Sequence, residues 1–238
     1  MTTFWDAVAT ILRENGYLSL TLTVGGYLLA LALQRRYKST LFNPVLIALF
    51  LTLVGQKLFE IDYESYRRDA APLTFLVTPT TICLAVPLYR QFELVRRNWL
   101  AVLSACVVGT LVNVLLVWLV ARAFQLEYAE YMTFLSKSIT MAIGVGITEE
   151  YGGYVAITCA IITIAGVTGN MCGSYFLKKS GILSPMAQGL AIGVCSHAFG
   201  TARALELGET EGAFSGLAIA LTGVCTVLVA PAASLLPL

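Results

Sequence analysis

Residues 189–208 read GLAIGVCSHAFGTARALELG, and this stretch decides how the chain is organised. It is mostly apolar, yet it contains the only histidine of the chain, His197, followed closely by Arg203 and Glu206. A charged side chain at the centre of a bilayer costs at least roughly 2.5–3.5 kcal/mol, so it normally faces a cavity, an opposite charge or a ligand. Four glycines, which weaken a helix, lie in the same stretch. The combination predicts a broken membrane helix that carries a polar site.

The composition places the whole chain in a membrane. Of its 238 residues, 58% are hydrophobic and 12% are charged, whereas soluble domains carry about 25% charged residues. We therefore expect one integral domain over residues 1–238, located in the cell (inner) membrane. The net charge is +1 and no long basic run occurs, so nucleic acid is not an expected partner. The six cysteines lie in apolar segments without metal-ligand spacing, and neither a metal nor another cofactor is expected.

The apolar blocks predict an all-α polytopic bundle with about 7–8 membrane segments. A helix needs about 20 apolar residues to span a bilayer. Five blocks have about this length: 17–34, 41–59, 98–124, 151–177 and 210–236. Three further blocks are apolar but interrupted by proline, glycine or charge, and are candidates for broken or re-entrant helices: 70–90, 135–150 and 184–207.

The distribution of basic residues favours a re-entrant element. Lysine and arginine concentrate on the cytoplasmic side of membrane proteins. Alternating spans place the amino terminus outside and satisfy this rule through residue 124, but Lys178 and Lys179 then stay inside only if block 135–150 enters and leaves from one face. We therefore expect this block to be re-entrant.

Short internal matches indicate duplicated halves. AIGV occurs at 142–145 and again at 191–194, and GTLVN at 109–113 is echoed by GVTGN at 166–170, which aligns Asn113 with Asn170. Chance matches in so biased a composition are the alternative. A true duplication would fit secondary transporters, whose discontinuous helices meet near the midplane of the membrane.

The polar residues of the opening stretch form the first candidate binding site. On a continuous helix, His197 and Thr201 share one face while Arg203 and Glu206 share another. The four side chains converge only if the backbone breaks near Gly200. Arg203 would then offer a planar fork to a carboxylate, with a hydroxyl from Thr201 and a titratable ring from His197. The alternative is an Arg–Glu pair at the membrane interface and a histidine satisfied by a backbone carbonyl.

A second candidate site lies in block 135–150. Lys137, Ser138 and Thr140 precede a segment with two glycines, which places a cation and two hydroxyls at the start of a half-helix, an arrangement typical of anion sites. The alternative is that Lys137 extends to a lipid headgroup.

Thr80 and Asn170 complete the predicted substrate-binding set. Thr80 follows Pro79, which removes a backbone donor and frees a carbonyl that needs a partner or lines water; a simple kink is the alternative. Asn170 resembles a polar helix break within an apolar block. Gly169 and Gly173 have the GxxxG spacing of close helix packing, and we expect a homodimer.

Four motifs make the chain recognisable: PLYRQ at 87–91, KSIT at 137–140, VTG at 167–169 and HAFGTARALELGETEGAFSGLA at 197–218. The sequence resembles the LrgB/CidB family over roughly residues 17–236. One departure follows KSIT, where the family usually continues with Thr-Pro-Ile-Ala and this chain has residues 141–144, MAIG. No role of that proline or second threonine carries over.

The resemblance implies two functions. One is an antiholin-like regulator of murein hydrolase export and autolysis, acting with a small LrgA/CidA-type membrane partner. The other is a carrier of small organic anions such as pyruvate, glycolate or glycerate. A holin-like role requires no buried set of His, Arg, Thr and Glu, so the residues favour a secondary transporter of small monocarboxylates. Neither GxSxG, HExxH nor a P-loop occurs, and we do not expect an enzyme.

Overall fold

The computed structural model describes residues 17–37, 44–83 and 85–238, and every regular element in these ranges is an α-helix. The chain forms two compact units, residues 1–83 and 84–238. The all-α prediction is confirmed for the described residues, whereas a single domain over residues 1–238 stays a prediction.

The first unit has four described helices. They are α1 Tyr17–Tyr37, α2 Pro44–Leu58, α3 Tyr63–Asp69 and α4 Ala71–Cys83. Helix α1 packs along α2, where a β-carbon built on Gly55 would lie 2.7 Å from Leu22 Cδ2. Pro79 lies inside α4. Thr80 belongs to the same helix, but its side chain lies outside the described part of the structure.

The second unit has eight described helices. They are α5 Ala85–Arg90, α6 Phe92–Arg97, α7 Trp99–Phe124, α8 Tyr128–Leu135, α9 Met141–Glu150, α10 Val155–Lys179, α11 Pro185–Leu207 and α12 Glu209–Ala233. Its largest fully buried side chains include Tyr131 and Met132 of α8 and Phe214 of α12. Tyr131 donates a hydrogen bond from its hydroxyl to the Ala233 carbonyl over 3.2 Å, which fixes α8 to the end of α12.

Among the described residues, four helices are long and apolar enough to cross a membrane. They are Leu18–Arg36, Trp99–Phe124, Val155–Lys179 and Glu209–Ala233. The protein is therefore a multi-pass membrane protein. The total of 7–8 membrane segments and the re-entrant path of block 135–150 stay predictions.

Block 135–150 is interrupted at its polar residues, whereas its two glycines, Gly144 and Gly146, lie inside α9. Helices α8 and α9 contain eight and ten residues. Neither is longer than half of the roughly 20 residues that a span needs. A non-helical turn over residues 136–140 joins them. The amide of Gly144 bonds to the Thr140 carbonyl and begins the ladder of α9.

Buried threonines hold this short helical pair against α10. The Thr133 hydroxyl accepts a hydrogen bond from the Tyr154 amide over 2.8 Å. The hydroxyls of Thr148 and Thr158 lie 2.9 Å apart, and the Thr158 hydroxyl also donates to the Thr133 carbonyl. All three threonines are at most 1% exposed. Side-chain hydrogen bonds to α10 and to the residue before it therefore hold the two short helices in place.

We expect Thr133→Val to destabilise the protein by about 1–3 kcal/mol, because it leaves the Tyr154 amide without its acceptor. A lower thermal denaturation midpoint of the purified protein in detergent would show this. Thr168→Val is the matched control, since the Thr168 hydroxyl is exposed and bonds only to the Ile164 carbonyl of its own helix. Equal midpoints for the two variants would contradict the role of Thr133.

Candidate functional site

Helix α11 is broken at His197. This residue has φ 40° and ψ −137° inside an otherwise helical segment, in a backbone region that favours glycine and costs other residues about 1–3 kcal/mol. The break predicted for block 184–207 is thus present, but it lies three residues before Gly200. A β-carbon on Gly200 would lie 2.6 Å from Ser196 Cβ and 2.8 Å from Ile192 Cγ2. Because Gly200 has no side chain, the second half of α11 can pack closely against Ser196 and Ile192 of the first half. His197 itself makes the turn.

Neighbouring helices satisfy the polar groups at the break. His197 is 3% exposed, and its Nε2 lies 2.9 Å from the Ile162 carbonyl of α10. Since a carbonyl only accepts, Nε2 carries the proton in this contact. Asn170 Nδ2 donates to the Phe199 carbonyl over 2.7 Å. The histidine ring also occupies the space beside Gly166, where a β-carbon would lie 2.8 Å from Nε2.

Helix α12 adds a hydroxyl to the break. Thr201 donates to the His197 carbonyl over 3.1 Å, and its hydroxyl lies 2.7 Å from that of Ser215. Thr201 and Ser215 are both at most 1% exposed. The structure therefore brings the buried residues His197, Gly200 and Thr201 together with the half-buried Asn170 in one cluster, which we call the break cluster. Sequence reasoning missed Ser215, whose only signal is a small polar residue in an apolar span.

Arg203 and Glu206 do not join the break cluster. They form an ion pair of 2.6 Å, with side chains 39% and 67% exposed, and Arg203 Nε also donates to the Ser174 hydroxyl over 3.3 Å. The arrangement is the alternative named above, an Arg–Glu pair together with a histidine bound to a backbone carbonyl. Direct substrate binding by Arg203 and Glu206 stays a prediction.

The second cluster surrounds Lys137 in the turn between α8 and α9. Its ammonium donates to the Ser138 hydroxyl over 3.0 Å, which in turn donates to Asn113 Oδ1 over 3.4 Å. Within residues 17–37, 44–83 and 85–238, no carboxylate lies within ion-pair distance of Lys137. We call Lys137, Ser138 and Asn113 the lysine cluster.

The remaining hydroxyls around this turn differ in their environment. Thr140 precedes the first residue of α9 but makes no side-chain capping bond. Ser136 is fully buried, and its hydroxyl has no hydrogen-bond partner among the described residues. Buried hydroxyls are usually bonded, so this turn retains hydrogen-bonding capacity next to a positive charge.

The two interrupted segments are fixed in the same way. Asn113 of α7 donates from Nδ2 to the Leu135 carbonyl over 3.0 Å, at the end of α8. Asn170 of α10 makes the same kind of bond to Phe199. Each long helix thus supplies an asparagine amide to a carbonyl at an interruption. The two AIGV segments do not occupy equivalent positions. Residues 142–145 follow the first interruption, whereas residues 191–194 precede the second.

We expect Asn170→Ala to destabilise the protein by about 1–3 kcal/mol, because the Phe199 carbonyl loses its donor where the helix is already broken. Faster hydrogen exchange over residues 197–203 and a lower denaturation midpoint would show the effect. Asn98→Ala is the matched control, since the exposed Asn98 amide bonds only to the nearby Leu94 carbonyl. Unchanged exchange at the break in Asn170→Ala would contradict this role.

Comparisons with known proteins agree with the motifs. The pattern of the LrgB-like family matches residues 23–236. The protein named "Antiholin-like protein LrgB" of Bacillus mycoides is 37% identical over 191 residues, covering 80% of this chain and 83% of the relative. Proteins of the same name from Bacillus cereus and Bacillus anthracis match to the same extent. No solved structure gives a significant match. The chain belongs to the LrgB-like family.

Proposed function

We propose that this protein is a secondary transporter of small monocarboxylates of the pyruvate, glycolate or glycerate type. The observation that carries the proposal is the repeated arrangement of Asn113 and Asn170, each bonded to a carbonyl at an interruption. Transporters with duplicated halves place their substrate between discontinuous helices.

The carboxylate of the substrate binds at the lysine cluster. Lys137 is the best cation for this role because none of the described carboxylates pairs with it, whereas Arg203 is already balanced by Glu206. Ser138 contacts the ammonium, and Thr140 lies at the start of α9. An ammonium and hydroxyls are the donors that a carboxylate requires.

The break cluster lets α11 change shape during transport. Its hydrogen bonds come from side chains of α10, α11 and α12 rather than from a continuous helical ladder. The two halves of α11 are therefore able to tilt relative to each other without losing a turn of helix. In this scheme Gly200 and Thr201 keep the halves in contact.

The second candidate is an antiholin-like regulator of murein hydrolase export and autolysis, acting with an LrgA/CidA-type membrane partner. The names of the Bacillus relatives, "Antiholin-like protein LrgB", favour this function. Such a role depends on helix association in the membrane, which close packing at glycines would serve.

Uptake into proteoliposomes separates the two functions. Purified protein is reconstituted alone, and again with an LrgA-type partner, and uptake of labelled pyruvate and glycolate is compared with that of empty liposomes. Saturable uptake that excess unlabelled monocarboxylate inhibits is the expected result. No uptake of any short acid under either condition, together with altered hydrolase release from cells that express the chain, would instead support the regulator.

A further inference from the structure

A cleft of about 680 Å³ lies at the carboxyl end of α7. Its lining residues are Arg122, Gln125, Leu126, Glu127, Tyr128, Leu236 and Leu238. It therefore lies between the last turn of one candidate span and the start of α8. Both candidate functional clusters are formed by other residues.

Arg122 gives the cleft its charge. It belongs to the last turn of α7, and among the described residues it forms no ion pair. One acid, Glu127, also lines the cleft, and it caps the start of α8 reciprocally with Glu130. The guanidinium of Arg122 is exposed and can donate up to five hydrogen bonds to an acceptor that enters the cleft.

Trp118 fixes the position of this guanidinium. Arg122 Cζ lies 5.9 Å from the centre of the Trp118 ring, a cation–π distance. The indole in turn donates to the Pro237 carbonyl over 2.9 Å. The arginine is thus held over an anchored aromatic ring rather than free in solvent.

The depth of the cleft identifies the ligand chemistry. The 26-residue candidate span Trp99–Phe124 ends just after Arg122, so we place Arg122, Trp118 and Tyr128 where the hydrocarbon meets the headgroups, the usual level of interfacial aromatic residues. The phosphate groups of phospholipids occupy this level. Leu119 and Leu115, three and seven residues before Arg122, lie on the same face of α7 and are 48% and 53% exposed, which leaves an apolar track below the charge.

We propose that this cleft binds the phosphate headgroup of a membrane phospholipid. Arg122 contacts the phosphate, Gln125 and Tyr128 supply further hydrogen-bond donors, and one acyl chain lies along Leu119 and Leu115. The occupant is a lipid rather than a free phosphate because the charged cleft continues into exposed apolar side chains of the same helix.

Native mass spectrometry of the purified protein in detergent tests the proposal. Phosphatidylglycerol, diacylglycerol and glycerol 3-phosphate are titrated separately. We expect retention of phosphatidylglycerol and much weaker retention of the other two, because one lacks the phosphate and the other lacks the chains. Diacylglycerol or glycerol 3-phosphate bound as well as phosphatidylglycerol would overturn the proposal without the need for a variant.

Arg122→Gln is expected to weaken phosphatidylglycerol binding about tenfold, as the loss of a charged hydrogen bond implies. Arg122→Lys should retain part of the affinity, and it serves if the glutamine variant fails to fold. Arg97→Gln is the matched control, since Arg97 is exposed and already paired with Glu93. Unchanged binding in Arg122→Gln, or an equal loss in Arg97→Gln, would overturn the assignment of the cleft.

Discussion

Replacing Gly193 with alanine is expected to destabilise the protein by about 1–3 kcal/mol or more, the usual cost of overpacking. A β-carbon at this position would overlap the Ser215 carbonyl oxygen and lie 2.8 Å from Ser215 Cα. These are backbone atoms of α12, which cannot rotate away as a side chain can. Helices α11 and α12 would have to separate, and the 2.7 Å contact between Thr201 and Ser215 would lengthen. A lower denaturation midpoint in detergent and reduced yield of folded protein are the measurements.

Gly146→Ala is the matched control for Gly193→Ala. Gly146 is also helical, in α9, but nothing lies within 4 Å of a β-carbon built there. Alanine is the better helix former by about 1 kcal/mol, so this variant should be neutral or slightly stabilised. A Gly193→Ala protein as stable as Gly146→Ala would mean that α11 and α12 do not pack as closely as described.

Lys137→Gln is expected to lower monocarboxylate uptake about tenfold or more, a loss that corresponds to one charged hydrogen bond. Glutamine keeps a hydrogen-bond donor near Ser138 but removes the positive charge that the substrate carboxylate requires. The measurement is the initial rate of labelled pyruvate or glycolate uptake into proteoliposomes, normalised to the amount of reconstituted protein.

Two further variants make the Lys137 result specific. Lys137→Arg keeps the charge and should retain part of the uptake. Lys178→Gln removes an exposed lysine from the last turn of α10 and should leave uptake unchanged. If Lys137→Gln transported as well as the original protein, the lysine cluster would not be the carboxylate site, although the family assignment would stand.

The positions of the long helices could be predicted from sequence because apolar length alone determines them. Block 98–124 corresponds to α7 and block 210–236 to α12 within a few residues. The interruption of block 135–150 was also predicted, but it lies at the polar residues 136–140, whereas Gly144 and Gly146 lie inside α9. Sequence could not locate the turn itself, because any of several residues between α8 and α9 satisfies the same pattern.

The break in α11 shows where local sequence rules fail. Glycine is the expected residue for a left-handed backbone, and Gly200 was the natural choice. The structure instead places the turn at His197, since the Ile162 carbonyl and Asn170, both of α10, hold that geometry from outside the local sequence. Tertiary contacts thus override a residue preference of about 1–3 kcal/mol.

The site was only partly predictable for a similar reason. Of the four residues expected to converge, His197 and Thr201 lie together in the break cluster, whereas Arg203 and Glu206 pair with each other. Asn113 was aligned with Asn170 but was not selected as a binding residue. Only the fold shows that its Oδ1 accepts a hydrogen bond from Ser138, next to Lys137.

The interruption at His197 also divides the dipole of α11. A helix carries about half a unit of positive charge at its amino end and half a unit of negative charge at its carboxyl end. At the break, the carboxyl end of the first half of α11 and the amino end of the second half lie beside His197, which is 3% exposed. The protein interior therefore acquires an electric field from the peptide backbone itself, which the titration of side chains does not abolish.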